Sequence, residues 1–269
     1  MIKGIVLSII NHKGGVGKTA TTCNLGHALA RIGKRVLTVD MDLQCNTTAT
    51  LYGSDRPRYS LYELIDPEIS ENEIIEKCIY GTSYENLYII PNIPETAAIE
   101  QRIIKKYPEG LQLFRNKLRS YVKKNFDFIL IDNPPNLGTF VLCSLMATDF
   151  VIVPSETGSK YSMEGLNEAV SFIEDIRENQ NEELRFLKVL LTKVDQRMIV
   201  HKVSISQIRN FYPKEKVFKT MIPTNTAVQQ AEMLGITIFK HRSNAAAAIA
   251  YSNLAKEVIK TIGVLKKNS

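Results

Sequence analysis

Cysteine is scarce in this chain, and Cys23, Cys45, Cys78 and Cys143 lie far apart with no C-x-x-C pair. That argues against a disulfide framework or a zinc site and fits a reducing, cytoplasmic setting. No signal peptide is visible, and the opening apolar run, Ile5 to Ile10, is far too short to span a bilayer. The histidines, His12, His27, His201 and His241, are scattered and suggest no catalytic pairing. There is no internal repeat and no low-complexity linker, so the 269 residues read as one large domain, 1–269. No segment precedes the first strand, so an operator-reading helix-turn-helix module is not expected.

Charge is present but uneven. The net charge is +6. Residues 181–269 hold fifteen Lys and Arg against six Asp and Glu, which leaves the first 180 residues net negative. A basic C-terminal third suggests a polyanion partner, with nucleic acid the first candidate.

Apolar runs and helical periodicities alternate nearly throughout. Strands are expected at Lys3–Ile10, Lys34–Asp40, Leu87–Asn92, Phe126–Asp132, Asp149–Ser155, Arg185–Thr192 and Lys216–Pro223. Helices are expected at Lys18–Ile32, Leu61–Ile79 in part, Glu109–Lys124, Thr139–Ala147, Met163–Asn179, Val200–Phe211, Ala227–Leu234 and Ala245–Leu265. The fold class is α/β, a mostly parallel twisted β-sheet with helices on both faces.

The organising stretch is SIINHKGGVGKT, residues 8–19. It reads as an apolar strand, a glycine-rich turn, then a lysine and a threonine opening a helix. The general spacing G-x-x-x-x-G-K-[ST] would begin at His12, which is not glycine, and Lys13 supplies a second lysine. Glycines let successive N–H groups point inward as an anion nest, and the helix adds its positive dipole end. Gly14, Gly15, Val16, Gly17, Lys18, Thr19 and Ala20 are the nucleotide-binding candidates. Lys18 is expected on the β- and γ-phosphates and the Thr19 hydroxyl on Mg²⁺.

Two further segments carry carboxylates. VDMDLQCN places Asp40 and Asp42 at a strand's C-terminal edge, where ligands bind in open α/β sheets. FDFILIDNPP ends an apolar strand in Asp132, the Walker B arrangement, expected to hold Mg²⁺ beside Thr19. The metal candidates from these motifs are Thr19 and Asp132.

KGGVGKT resembles the deviant Walker A box of the ParA/MinD family of ATPases, and the resemblance covers essentially the whole chain. It implies a ParA/Soj-type partitioning ATPase: ATP and Mg²⁺ as cofactors, and a homodimer formed with ATP. It further implies nonspecific binding to double-stranded DNA and hydrolysis stimulated by a ParB-like partner, with a nucleoid-associated location. In the family, the extra lysine, here Lys13, reaches the partner's nucleotide, and the second aspartate, here Asp42, positions the attacking water. The resemblance also implies the first aspartate, Asp40, as a third metal candidate, near the metal. Lys13, Lys18 and Asp42 are thus the catalytic candidates. Departures are Cys45 where the family has glycine, Asn133 within the D-x-P-P-x-x-G run ending at Gly138, and Thr224 where many relatives have arginine. Ser155–Leu166 follows the family outline with unusual residues before Met163.

LLTKVD, Leu190–Asp195, contains T-K-x-D, a pattern some GTPases use to read guanine. The resemblance favours ATP, with the base held by this segment and by Met221, Pro223 and Asn225. Candidate phosphate contacts on DNA are Arg197, Lys202, Arg209, Lys214, Lys216, Lys219, Lys240 and Arg242. The alternatives are a MinD-like membrane-associated switch using the last helix, and a metabolic P-loop synthetase of the same superfamily. In the last helix, Leu254, Val258, Ile262 and Leu265 form one stripe, read chiefly as core-facing. Nitrogenase iron protein and the arsenite and tail-anchored insertion ATPases are set aside for want of their cysteine contexts.

Overall fold

A computed structural model describes residues 3–69, 74–159 and 162–267. Seven strands run β1 Ile5–Ile9, β2 Val36–Asp40, β3 Tyr80–Gly81, β4 Leu87–Ile90, β5 Phe128–Asp132, β6 Phe150–Glu156 and β7 Arg185–Thr192. They form one sheet in the order β3-β4-β2-β5-β1-β6-β7. Every pairing is parallel except β3 on β4. All residues of β1, β2 and β5 are buried, as expected for strands covered on both faces.

Twelve α-helices accompany the sheet among the described residues. They are α1 Lys18–Arg31, α2 Asn46–Leu51, α3 Leu61–Ile65, α4 Ile74–Cys78, α5 Glu100–Lys105 and α6 Glu109–Asn125. They continue with α7 Thr139–Ala147, α8 Ser162–Asn179, α9 Ile199–Phe211, α10 Thr226–Met233, α11 Ile238–Arg242 and α12 Ala246–Leu265. Residues 70–73 within the expected Leu61–Ile79 helix, and Lys160 and Tyr161 before Met163, lie outside the described residues.

Alternating strand residues divide the core. Ile5 and Leu7 join Leu25 and Leu29 of α1 and Leu254, Val258 and Ile262 of α12 on one face. Val6, Ile129 and Ile131 meet Phe114 and Leu118 of α6 on the other. The stripe of α12 offered to lipid in the membrane alternative is therefore core at Leu254, Val258 and Ile262, each 0% exposed, while its last member, Leu265, is exposed. No helix among the described residues is long and apolar enough to cross a membrane.

One expected strand is corrected. Lys216–Pro223 is not a strand; it makes two isolated bridges, Val217 to Val189 of β7 and Pro223 to Val194 just beyond it. The reason is a competing acceptor. The Glu257 carboxylate on α12 takes the backbone N–H groups of Lys219 and Thr220 at 2.8 and 3.0 Å. Those donors are then lost to any continuous ladder. The short β3 and the helices α2, α5 and α11 carry too few periodic residues to announce themselves in the sequence.

Candidate active site

The site sits at the C-terminal ends of β1, β2 and β5, where the sheet order places β1 between later strands. After β1 the chain turns through Asn11. Its amide donates to the Pro154 carbonyl of β6 at 2.8 Å, and its carbonyl accepts from Lys13 N at 2.9 Å. Gly15 and Gly17 take φ of 75° and 88°, a region costly for residues bearing a Cβ. Apart from their chain neighbours, no atom lies within 4 Å of where a Cβ on Gly14 or Gly15 would stand, and both glycines are exposed.

This turn suits phosphate. Helix α1 begins directly after Gly17, with no side-chain cap and no acidic residue in its first turn. Its first N–H donors are left for an anion. Lys18 is buried, and its ammonium donates to the Lys13 carbonyl at 3.2 Å. Burial lowers its pKa, opposed by the fields of Asp132 and Asp42. A phosphate would offset that desolvation directly.

Asp132, at the end of β5, is fully buried and ringed by hydroxyls. Thr19 and Thr47 each donate to Oδ2 at 2.8 Å, and Thr22 Oγ1 lies 3.4 Å from Oδ1. Burial pushes its pKa up to about 6, against the bonds from Thr19 and Thr47. A buried carboxylate touching the P-loop hydroxyl is a fitting Mg²⁺ anchor, and Mg²⁺ bound there would neutralise charge on the phosphates. Thr22 and Thr47 were not flagged by the sequence reading. The hydroxyl run Thr47–Thr48 after the paired aspartates was the available signal.

The paired aspartates divide their roles. Asp40 is fully buried and faces α2: its carboxylate accepts from Thr48 N, Thr48 Oγ1 and Asp42 N at 2.8, 2.7 and 3.1 Å. Burial first, then the neighbouring Asp132, pushes its pKa up to about 8. So Asp40 shapes the turn that carries Asp42, rather than joining Thr19 on the metal candidate Asp132. Asp42 accepts from Gln44 N through Oδ1 at 3.0 Å. Its Oδ2 has no protein donor among the described residues, which leaves one oxygen for water. Cys45 adopts φ 55° at the start of α2, the left-handed conformation a glycine would take there without strain. Asn133 donates to the carbonyls of Ile9 and Ile131, and its own Oδ1 is buried without a partner.

The far side of the site is β7. Thr192 Oγ1 donates to the Val16 carbonyl inside the P-loop at 2.9 Å, a contact the sequence reading missed. The chain after Thr192 pairs with the 222–224 segment: Val194 N donates to the Ile222 carbonyl and Thr224 N to the Val194 carbonyl, both at 3.0 Å. Pro223 therefore flanks this ledge. Asn225 spends its Oδ1 on capping α10 through Ala227 N at 2.9 Å. Met221 turns away, its sulfur 3.8 Å from Arg209 Nη2.

The second lysine is set apart from the first. Lys13 is half-buried at the mouth of the loop, its ammonium donating to Ser159 Oγ at 2.7 Å. His12 beside it pairs with Glu168 at 3.1 Å.

The basic candidates fall on three places. Arg197, Lys214, Lys216 and Lys219 line a cavity of about 1500 Å³ between the 214–224 segment and α12. Lys202 and Arg209 line a neighbouring one of about 420 Å³. Lys240 and Arg242 close α11, exposed. Lys216 is committed: it donates to the Phe186 carbonyl at 2.7 Å. Lys256 and Lys260 of α12 face the larger cavity as well, and they were missed because α12 read as a closing helix.

Comparison with known proteins agrees with this geometry. A family described as AAA domain matches residues 4–186. Sporulation initiation inhibitor protein Soj of Bacillus subtilis is 35% identical over 95% of this chain and 98% of its own length. Chromosome-partitioning ATPase Soj of Thermus thermophilus is 34% identical, covering 94% of each chain. A Mycobacterium smegmatis structure described as cobyrinic acid a,c-diamide synthase with bound ATP analogue and magnesium superposes with TM-score 0.80. It is 26% identical over 95% of this chain and 94% of its own. ATP and Mg²⁺ are thus this chain's cofactors, and the glycine turn, Lys18, Thr19 and Asp132 have the chemistry to hold them. By its P-loop, its sheet and its relatives, this chain belongs to the ParA/Soj-type partitioning ATPases of the AAA-domain family.

Proposed function

We propose that the chain is a MgATP-driven dimer that binds DNA without sequence preference and releases it on hydrolysis. The observation that carries this reading is the separation of the two lysines. Lys18 is enclosed in its own loop on the Lys13 carbonyl, whereas the Lys13 ammonium rests on Ser159 outside it. A lysine held at the rim serves a second nucleotide better than its own. From a partner subunit it would stabilise charge developing on the transferring phosphoryl group, as an arginine finger does.

In this reading Asp42 Oδ2 orients the attacking water, and Thr19 and Asp132 hold the metal. Hydrolysis needs no covalent intermediate, since positioning and charge stabilisation carry most of phosphoryl transfer. Lys202, Arg209, Lys214, Lys219, Lys240 and Arg242, with Lys256 and Lys260, are the cations free to meet phosphates, whereas Arg197 is held by Asp195. Such contacts position the protein on the duplex without reading sequence. A ParB-like partner bound to cargo would stimulate turnover, and the protein would reside on the bacterial nucleoid.

Mixing two inactive variants tests the dimer. Lys13→Ala and Asp42→Ala are each expected to lose turnover. In a mixed dimer, the Lys13→Ala subunit keeps its own Asp42 and receives Lys13 from its neighbour. Mixing should therefore restore ATPase activity. No restoration, with dimers of the mixture demonstrated, would place Lys13 in its own site and end this reading.

A further inference from the structure

The T-K-x-D run at the end of β7 is not used by the proposed chemistry, yet the fold brings its first residue, Thr192, against the P-loop. Thr192 bonds the P-loop at the Val16 carbonyl. A Cβ on Gly17 would stand 4.0 Å from the Thr192 methyl. Two residues on, Val194 is zipped to Ile222 and Thr224. Asp195 follows at the edge of that ledge. A free aspartate here has the chemistry to accept the two Watson–Crick-edge donors of guanine, N1–H and N2–H, as a bidentate acceptor.

It is not free. Arg197 holds it three ways: its backbone N–H and Nε donate to Oδ1 at 3.0 and 2.9 Å, and Nη2 donates to Oδ2 at 2.7 Å. A carboxylate has about four acceptor sites in all, so about one remains. Guanine needs two donors satisfied side by side, whereas the Watson–Crick edge of adenine presents only its N6 amine. The lysine of the motif is also diverted. Lys193 takes φ 49°, and its ammonium lies 3.5 Å from Glu156.

We infer that Arg197 masks a guanine reader at Asp195, and that this side-chain clamp sets the preference of the site for ATP over GTP. The inference rests on the nucleotide-site reading above. It also gives Arg197 a task other than DNA contact. Its side chain is 90% exposed, so removing it leaves no hole in the core.

Competition binding of MgATP and MgGTP analogues to the full chain tests it, using wild type, Arg197→Ala, and Arg197→Ala combined with Asp195→Asn. Freeing a bidentate carboxylate should raise the GTP-to-ATP affinity ratio about tenfold in Arg197→Ala, the scale of one good charge-assisted pair. Adding Asp195→Asn should return the ratio to the wild-type value. A ratio unchanged in Arg197→Ala would overturn the inference, leaving the pair as a loop staple. So would a gain that survives Asp195→Asn, because the carboxylate would not be its source. Failure of wild type to bind either nucleotide would instead sink the nucleotide-site reading itself.

Discussion

The two lysine-bearing regions of this molecule work in opposite ways. At the P-loop, charges are buried and answered one by one. Lys18 sits on a carbonyl, Asp132 takes two threonine hydroxyls at 2.8 Å, and Asp40 takes three donors from the turn below it. Around α12, Lys214, Lys219, Lys256 and Lys260 are exposed and make no side-chain ion pair among the described residues. The first region can discriminate by geometry to a fraction of an ångström. The second can only attract, through a summed field that salt weakens. Single substitutions should therefore be severe in one region and mild in the other.

The largest effect is expected at Asp42. Asp42→Ala should lower turnover by roughly 10²- to 10⁴-fold, the usual worth of a positioned acid–base group, while MgATP binding persists. Steady-state hydrolysis beside equilibrium binding separates the two. Lys18→Ala comes next: loss of a buried charged partner should cost upwards of about 2 kcal/mol of MgATP affinity, roughly thirtyfold. Retained tight binding, read by calorimetry, would remove Lys18 from the phosphate site.

The buried acids predict a pH trend in the absence of nucleotide. Asp40 and Asp132 have folded pKa values raised to about 8 and about 6 by burial, above those of an unfolded chain. The folded state then binds more protons than the unfolded one. Stability falls as pH rises from about 4 towards 8. Urea midpoints across that range should decline, and Asp40→Asn should flatten the upper part. Thr192→Val should cost about 1 kcal/mol of stability, the net value of one hydrogen bond. An unchanged midpoint would make the Thr192 link to Val16 incidental.

On the basic side the effects shrink. Lys256→Ala or Lys260→Ala should each weaken duplex DNA binding only a few-fold and reduce the salt slope by about 0.9. A single lysine whose loss abolished binding would break the contrast, since it would show a built anion site rather than a field.

The same contrast explains what could be read in advance. The glycine turn before α1 and the meeting of Thr19 with Asp132 were legible because that arrangement demands fixed residue types at fixed spacings beside a strand end. Most strands and long helices were legible from apolar periodicity, with ends within a few residues. Illegible were contacts made by ordinary residues across long separations. Thr192 to Val16 and Thr47 to Asp132 carry no motif of their own, and the local Arg197 clamp on Asp195 carries none either. The strand expected at Lys216–Pro223 failed for the same reason. Its pattern was right locally, but Glu257, far along the chain, claimed two of its N–H groups. The basic third was legible as a charge excess and illegible as an address, because diffuse attraction tolerates lysines at many positions.

The most direct test of the division between a discriminating end and an attracting face is equilibrium binding to random-sequence duplex DNA. It would be run with MgATP, MgADP and no nucleotide over a salt series. Tight binding only with MgATP, falling steeply and log-linearly with salt, is expected. Equal binding in all three nucleotide states would contradict the coupling of the two regions, and no binding in any would remove DNA as the polyanion.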